Sequence, residues 1–192
     1  MSKKDALLLA AKELFGQHGY NGTTFKLISE RAGVALGLLT HHYGNKEKLF
    51  LTAGLDVLER MLGRLREAVA GAGDGLEAVQ RFCGAYLEFS LDPGEHFLVL
   101  VRCSPYSDVN TREDREVMMQ KFEAVPAILE ACVRRGVEDG SILPLPPRET
   151  AGAVQCNLVG AVRTRLLTPY SAPSLYDDVL AFITRSLAAP RG

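Results

Sequence analysis

The chain reads as all-α, and three observations predict it. Apolar residues recur at spacings of three and four along almost its whole length, the period of a helix buried on one face. Helix punctuation stands wherever such a run stops, at Gly33, Gly44-Asn45, Asp92-Pro93-Gly94 and Gly140. The single run that could form a buried strand, Phe97 to Val101, has no second strand to pair with. A lone strand would leave its backbone groups unsatisfied, so a helix apolar on every side is expected there.

The first helix is expected from about Lys4 to Gln17, with Leu7, Ala10, Ala11, Leu14 and His18 on its apolar stripe. Gly16 inside it costs ~1 kcal/mol relative to Ala, for which the sequence offers only its place near the helix end. Thr24 can cap a second helix whose Phe25, Ile28 and Ala32 share a face, and Gly33 supplies the left-handed residue that ends it. Val34 then plugs the crossing to a short third helix, about Ala35 to Tyr43, with Leu36, Leu39 and Tyr43 on one side. Helix, glycine turn, short helix is the helix-turn-helix pattern, whose second helix enters the DNA major groove. The first helix covers the pair from behind, because two short helices alone bury too little apolar area to offset ordering their backbone.

Asn45 caps a fourth helix that continues to about Ala70 along Phe50, Ala53, Val57, Met61 and Leu65. After a glycine-rich loop, Leu76 to Leu91 returns as a helix with Leu76, Val79, Cys83, Tyr86 and Leu87 inward. Ser104 to Asn110 reads as a loop, and Thr111 with Asp114 caps a long helix to about Asp139 whose stripe is Met118, Phe122, Val125, Leu129 and Cys132. Pro126 inside that helix is expected to kink or break it. A Pro-rich connection, Leu143 to Pro147, leads to the last two helices, Arg148 to Leu167 and Ser174 to Ala188, the latter with Ser174 as its cap.

The first fifty residues resemble the tetracycline-repressor (TetR) family of bacterial transcriptional regulators. The matching features are AAKELFGQHGY at Ala10 to Tyr20, Thr23-Thr24, Ile28 followed by ERAGV, Gly37, Leu39, HHY and NKEKL. The resemblance implies a three-helix DNA-binding domain over residues 1–48 and a six-helix domain over 49–192 that binds ligand and dimerises. It implies a homodimeric repressor in the cytoplasm, released from a near-palindromic duplex operator by a small-molecule effector. The chain departs from the family pattern at the recognition helix, with Ala35 at its usual Ser/Thr cap and Thr40 at its usual Tyr, so fewer phosphate contacts are implied.

Composition agrees with such a protein. The 192 residues are 47% hydrophobic and 23% charged, ordinary values for a globular protein. Residues 1 to 50 carry seven Lys and Arg against four Asp and Glu, a net of +3, whereas the remainder is acidic. Only the N-terminal part suits a polyanion. Cys83, Cys103, Cys132 and Cys156 lie far apart in apolar runs without metal-ligand spacing, and are expected to be buried thiols. The N-terminal apolar run is interrupted by Asp5, Lys12 and Glu13, unlike a signal peptide, and no stretch is long enough to span a membrane. No phosphate loop, nucleophile elbow or metal-ligand set occurs, so no enzymatic activity, cofactor or metal is expected.

Candidate DNA-contacting residues are Thr24, Lys26, Leu36, Gly37, Leu38, Thr40, His41, His42 and Lys46. Lys46 stands at a helix N-terminus, where a phosphate would meet both its ammonium and free backbone N–H groups. Base reading would rest on Thr40, His41 and apolar contact with thymine methyls. His41 and His42 diverge on a helix, which argues against a shared metal. Phe82, Tyr86, Phe89, Phe97, Met118, Phe122 and Asn157 are candidates for a ligand cavity, Asn157 and its neighbour Gln155 because a buried amide needs a partner. The helix around Ala151 to Val162 is apolar on nearly every side and must be covered outside. Val154, Leu158, Gly160 and Ala161, with Val179, Phe182 and Ile183 of the last helix, are therefore expected at a four-helix dimer interface. A helical adaptor or small-molecule binding protein that binds no DNA is the alternative.

Overall fold

The computed structural model describes residues 2–102 and 112–190. These form α1 (Lys3–His18), α2 (Phe25–Ala32), α3 (Leu36–Tyr43), α4 (Lys46–Ala70), α5 (Gly75–Leu91), α6 (Leu98–Arg102), α7 (Arg112–Asp139), α8 (Pro147–Leu167) and α9 (Leu175–Leu187), with a 3-10 turn at Pro93–Glu95. The fold is all-α. Among the described residues extended pairing is confined to one isolated bridge, Ile142 with Ala188. The apolar run after Phe97 is helical, as its lack of a partner strand requires. Cys103, Thr111 and the loop expected over 104–110 lie outside the described residues. The chain divides into two compact units, Met1–Arg60 with Asp92–Lys121, and Met61–Leu91 with Phe122–Gly192.

In the first unit Ser2 opens α1: the Asp5 N–H donates to its hydroxyl at 3.1 Å and its own N–H donates to the Asp5 carboxylate at 3.0 Å. That pair holds the Asp5 carboxyl below its usual range. The core gathers Leu7, Ala11 and Phe15 of α1, Ile28 of α2, Leu39 and Tyr43 of α3, Leu49 and Phe50 of α4, and Val99 of α6. Each large side chain so enclosed contributes about 1.5–3 kcal/mol of transfer free energy. Two side chains depart from the expected stripe of α1. His18 is exposed, and Lys12 is 7% exposed because its ammonium meets Asp56 at 2.8 Å. A charge that deep is retained only with a partner. At Gly16 α6 packs closely on α1: a Cβ there would lie 3.4 Å from Leu98, an ordinary van der Waals contact, so the site has room for a small side chain only.

The second unit packs α5, α8 and α9 with the adjoining parts of α4 and α7 around Leu62, Leu65, Phe82, Leu129, Leu158 and Ile183. Its tightest point is a glycine crossing. A Cβ on Gly75 would lie 2.0 Å from the Gly136 nitrogen, and one on Gly136 would lie 2.4 Å from Ile142. α5 is capped there from a distant part of the chain: the Gly75 N–H donates to Asp139 at 2.8 Å and the Leu76 N–H to the Ser141 hydroxyl at 3.0 Å. Ser174 holds the cap position of α9, but its hydroxyl bonds the Asp178 carboxylate at 2.8 Å and accepts none of the first-turn N–H groups, contrary to the expectation for it. Of the two outcomes expected at Pro126, a break does not occur: α7 continues through it, although the ring removes a hydrogen bond. Cys83 and Cys132 are buried, and burial pushes the Cys83 thiol up to about 12, whereas Cys156 is exposed on α8, contrary to the expectation for it.

Candidate nucleic-acid interface

The local geometry of α2 and α3 follows from their ends. Thr24 accepts the Leu27 N–H at 3.2 Å and so starts α2. Gly33, at φ 64° and ψ 33°, turns the chain left-handed, which lets the Val34 N–H close on the Ser29 carbonyl at 3.0 Å. α3 follows directly. Its cap position is Ala35, whose side chain accepts nothing, leaving the first-turn N–H groups without a side-chain partner.

One side of α3 is anchored. Leu39 is fully buried, and Tyr43, buried beside it, donates its hydroxyl to the Lys4 carbonyl at 3.0 Å. Burial raises the Tyr43 phenol above its ordinary value. The other side is open: Gly37, Thr40, His41 and His42 are exposed, Leu36 is 49% exposed, and Leu38 is half-buried. The Thr40 hydroxyl donates to the Leu36 carbonyl at 3.3 Å. The His41 and His42 rings stand 5.5 Å apart, and no group of three or more metal-ligating side chains occurs among the described residues. Thr24 and Lys26 are exposed on α2, Lys26 lying 3.9 Å from Glu30.

Lys46 has partners within its own chain. Its ammonium donates to the Tyr20 carbonyl at 3.1 Å and the Thr23 carbonyl at 3.2 Å, and lies 4.1 Å above the Tyr20 ring. The reason is local: the loop from α1 to α2 presents carbonyls to the first turn of α4, and a cation there satisfies them. The Tyr20 hydroxyl donates to Glu47 at 2.7 Å, which holds that carboxyl below its usual range. These bonds brace the helix-turn-helix from the side. Sequence reasoning passed over Lys48, which is exposed in the first turn of α4; the motif NKEKL contained the signal, with two lysines at that helix start.

The residues expected to line a ligand cavity separate. Phe82, Tyr86 and Phe89 are buried on α5 and Phe122 is half-buried on α7, all in the second unit, and burial pushes the Tyr86 phenol up to about 12. Phe97 and Met118 belong to the first unit, and the Met118 side chain lies outside the described residues. Asn157 is exposed and donates to the Ala153 carbonyl of its own helix at 2.8 Å, so its amide is satisfied by the preceding turn. Gln155 is the amide that remains: its Oε1 is enclosed without a hydrogen-bond partner. A recess of about 380 Å³ in the second unit is walled by Val69, Ala78, Ile128 and Cys132, with Arg66 and Arg135 beside it. None of the seven expected residues lines it.

The expected interface residues also divide. Val154, Leu158, Ala161 and Ile183 face the core of their own chain, and Val179 is half-buried. Gly160 and Phe182 are exposed, Phe182 by 53%, and the open stripe of α8 adds Gly152, Cys156 and Val159. No described helix is long and apolar enough to cross a membrane.

A sequence model of bacterial regulatory proteins of the tetR family matches residues 7–53, the segment that holds α2, α3 and the start of α4. The transcriptional repressor KstR2 of Rhodococcus jostii is 31% identical over 72% of this chain and 67% of its own length. The transcriptional repressor AcnR of Corynebacterium efficiens is 26% identical over 99% of this chain and 95% of its own. Among solved structures, the transcriptional regulator FadR of Bacillus subtilis, in complex with stearoyl-CoA, has a TM-score of 0.79 at 17% identity, covering 95% of this chain and 98% of that one.

Proposed function

The chain belongs to the tetR family of bacterial regulatory proteins, and we propose from that premise how it works as a ligand-responsive DNA-binding repressor. Residues 1–48 form the DNA-binding module and 49–192 the effector and dimerisation part. α3 lies in the major groove with Leu36, Gly37, Leu38, Thr40, His41 and His42 toward the bases. Thr24 and Lys26 of α2 and Lys48 of α4 meet phosphates, while Lys46 keeps the module rigid. The observation that supports this best is the asymmetry of α3, tied into the core by Leu39 and Tyr43 and bare on its other side.

The effector is a small, largely apolar molecule held in the second unit, where Phe82, Tyr86 and Phe89 are buried and the Gln155 Oε1 is enclosed without a hydrogen-bond partner. It releases the repressor only by binding the DNA-free arrangement more tightly than the DNA-bound one. Two copies meet through the open stripe of α8 and Phe182 of α9, which presents two recognition helices to a near-palindromic site in the cytoplasm. Sequencing genomic fragments retained by the purified protein tests the DNA part: an enriched near-palindrome is expected, whereas a helical adaptor would enrich nothing. Thermal shifts against a panel of uncharged apolar compounds, acyl-CoA thioesters and charged metabolites test the effector. Stabilisation by strongly charged metabolites alone would overturn the apolar assignment.

A further inference from the structure

The open side of α3 is chemically restricted. Along LGLLTHHY there is no arginine, lysine, asparagine, glutamine or carboxylate. Those are the side chains that make paired hydrogen bonds to guanine or adenine, or accept from cytosine. His41 and His42 can each make one bond, for instance to the N7 acceptor that guanine and adenine share, so they separate bases poorly. The Thr40 hydroxyl proton is turned back to the Leu36 carbonyl at 3.3 Å. What the first turn of α3 does present is apolar: Leu36 is 49% exposed. Beside it, Gly37 has no neighbouring atom within 4 Å of the place a Cβ would take. A single exposed leucine is ordinary on a protein surface. Here it stands at the start of the helix read above as entering the groove, on a fifty-residue segment of net charge +3 that suits a polyanion.

The major groove offers an apolar side chain one base-specific partner, the C5 methyl group of thymine. Resting on the reading of α3 as the recognition helix, we propose that Leu36 reads the C5 methyl of a pyrimidine, so that each half-site requires thymine at the contacted position. 5-Methylcytosine carries the same methyl at the same carbon and substitutes for it in part. Gly37 contributes by the absence of a side chain, which lets the backbone of α3 come close enough for Leu36 to reach the methyl. The expected discrimination is small per contact and doubles in free energy over two half-sites. A buried methyl is worth ~0.8 kcal/mol, which is about fourfold in affinity, so losing one methyl from each half-site weakens binding roughly fifteenfold.

The test uses the full chain and two random-core duplex pools, one containing thymine and the other deoxyuridine at every such position. Uracil pairs like thymine and lacks only the methyl. The best duplex from the thymine pool is then titrated by fluorescence anisotropy with its thymines replaced by uracil in symmetric pairs, one from each half-site, against the native chain and Leu36→Ala. We expect a defined site from the thymine pool, a roughly fifteenfold loss at one symmetric pair of thymines, and no such loss for Leu36→Ala. At that position 5-methylcytosine should bind the native chain more tightly than cytosine. Equal affinity for the thymine and uracil duplexes overturns the methyl reading while leaving DNA recognition intact. A thymine pool that yields no enriched site overturns the recognition-helix assignment itself. The uracil comparison on the native chain decides the matter even if Leu36→Ala does not fold.

Discussion

Lys46 and Lys48 are two positions apart and have different surroundings. Removing Lys46 leaves the Tyr20 and Thr23 carbonyls without their charged donor and the Tyr20 ring without its cation, at a cost of ~1–2 kcal/mol. We therefore expect Lys46→Ala to lower the melting temperature, whereas Lys48→Ala leaves it unchanged and reduces the log-log salt slope of DNA binding by about one per subunit. A Lys46→Ala chain that melts as before and loses salt slope would reverse the two roles. Glu47 gives a pH signature at the same spot. Its folded carboxyl is depressed by the Tyr20 hydroxyl, so its stabilising contribution is present above the ordinary carboxylate value and is lost as pH falls through the folded one. In Tyr20→Phe the Glu47 carboxyl should titrate closer to its ordinary value by NMR, and this part of the acid sensitivity should shrink.

At the level of helices, the same substitution should have opposite signs at two glycines. Gly63 sits within α4 with nothing near its would-be Cβ, so Gly63→Ala should stabilise by ~0.5–1 kcal/mol through helix propensity. Gly136 also lies within a helix, but its Cβ would fall inside the Ile142 side chain, so Gly136→Ala should cost about 1–3 kcal/mol as overpacking. Chemical denaturation of both variants checks the pair; equal signs would mean that the crossing relaxes freely. Propensity and patterning made the helices legible in the sequence, since Thr24, Gly33 and Asn45 act where they were expected to. Ser174 was misread because a hydroxyl before a helix has a choice of partners, and Asp178 lies within its reach.

For the molecule as a whole, the test is assembly. Gly160 is exposed with open space around it, so Gly160→Arg is accommodated by a single folded chain. If the open stripe of α8 joins two copies, the variant should be monomeric by light scattering, retain its melting behaviour apart from the lost dimer contribution, and lose specific DNA binding. An intact dimer of the folded variant would place the interface elsewhere. The outer stripe itself follows a rule visible in hindsight: an apolar helix has an inner and an outer side, and only packing tells which residues take which. Val154, Leu158 and Ala161 face inward, and Val159, Gly160 and Cys156 face outward.

The sequence by itself determined the fold class, the order and approximate ends of the helices, and the family, because helical period, caps and glycine stops act over a few neighbouring residues. Tertiary structure alone decided the partners of the charged and polar side chains. Lys12 finds Asp56, Lys46 finds two carbonyls of a loop more than twenty residues before it, and the first N–H groups of α5 find Asp139 and Ser141. Such groups are satisfied by whichever acceptor the packing brings within about 3 Å, and no local pattern encodes that distance. The same holds for close approach: Gly75 and Gly136 look like weak points in helices until the neighbouring chain segment is seen to occupy the space.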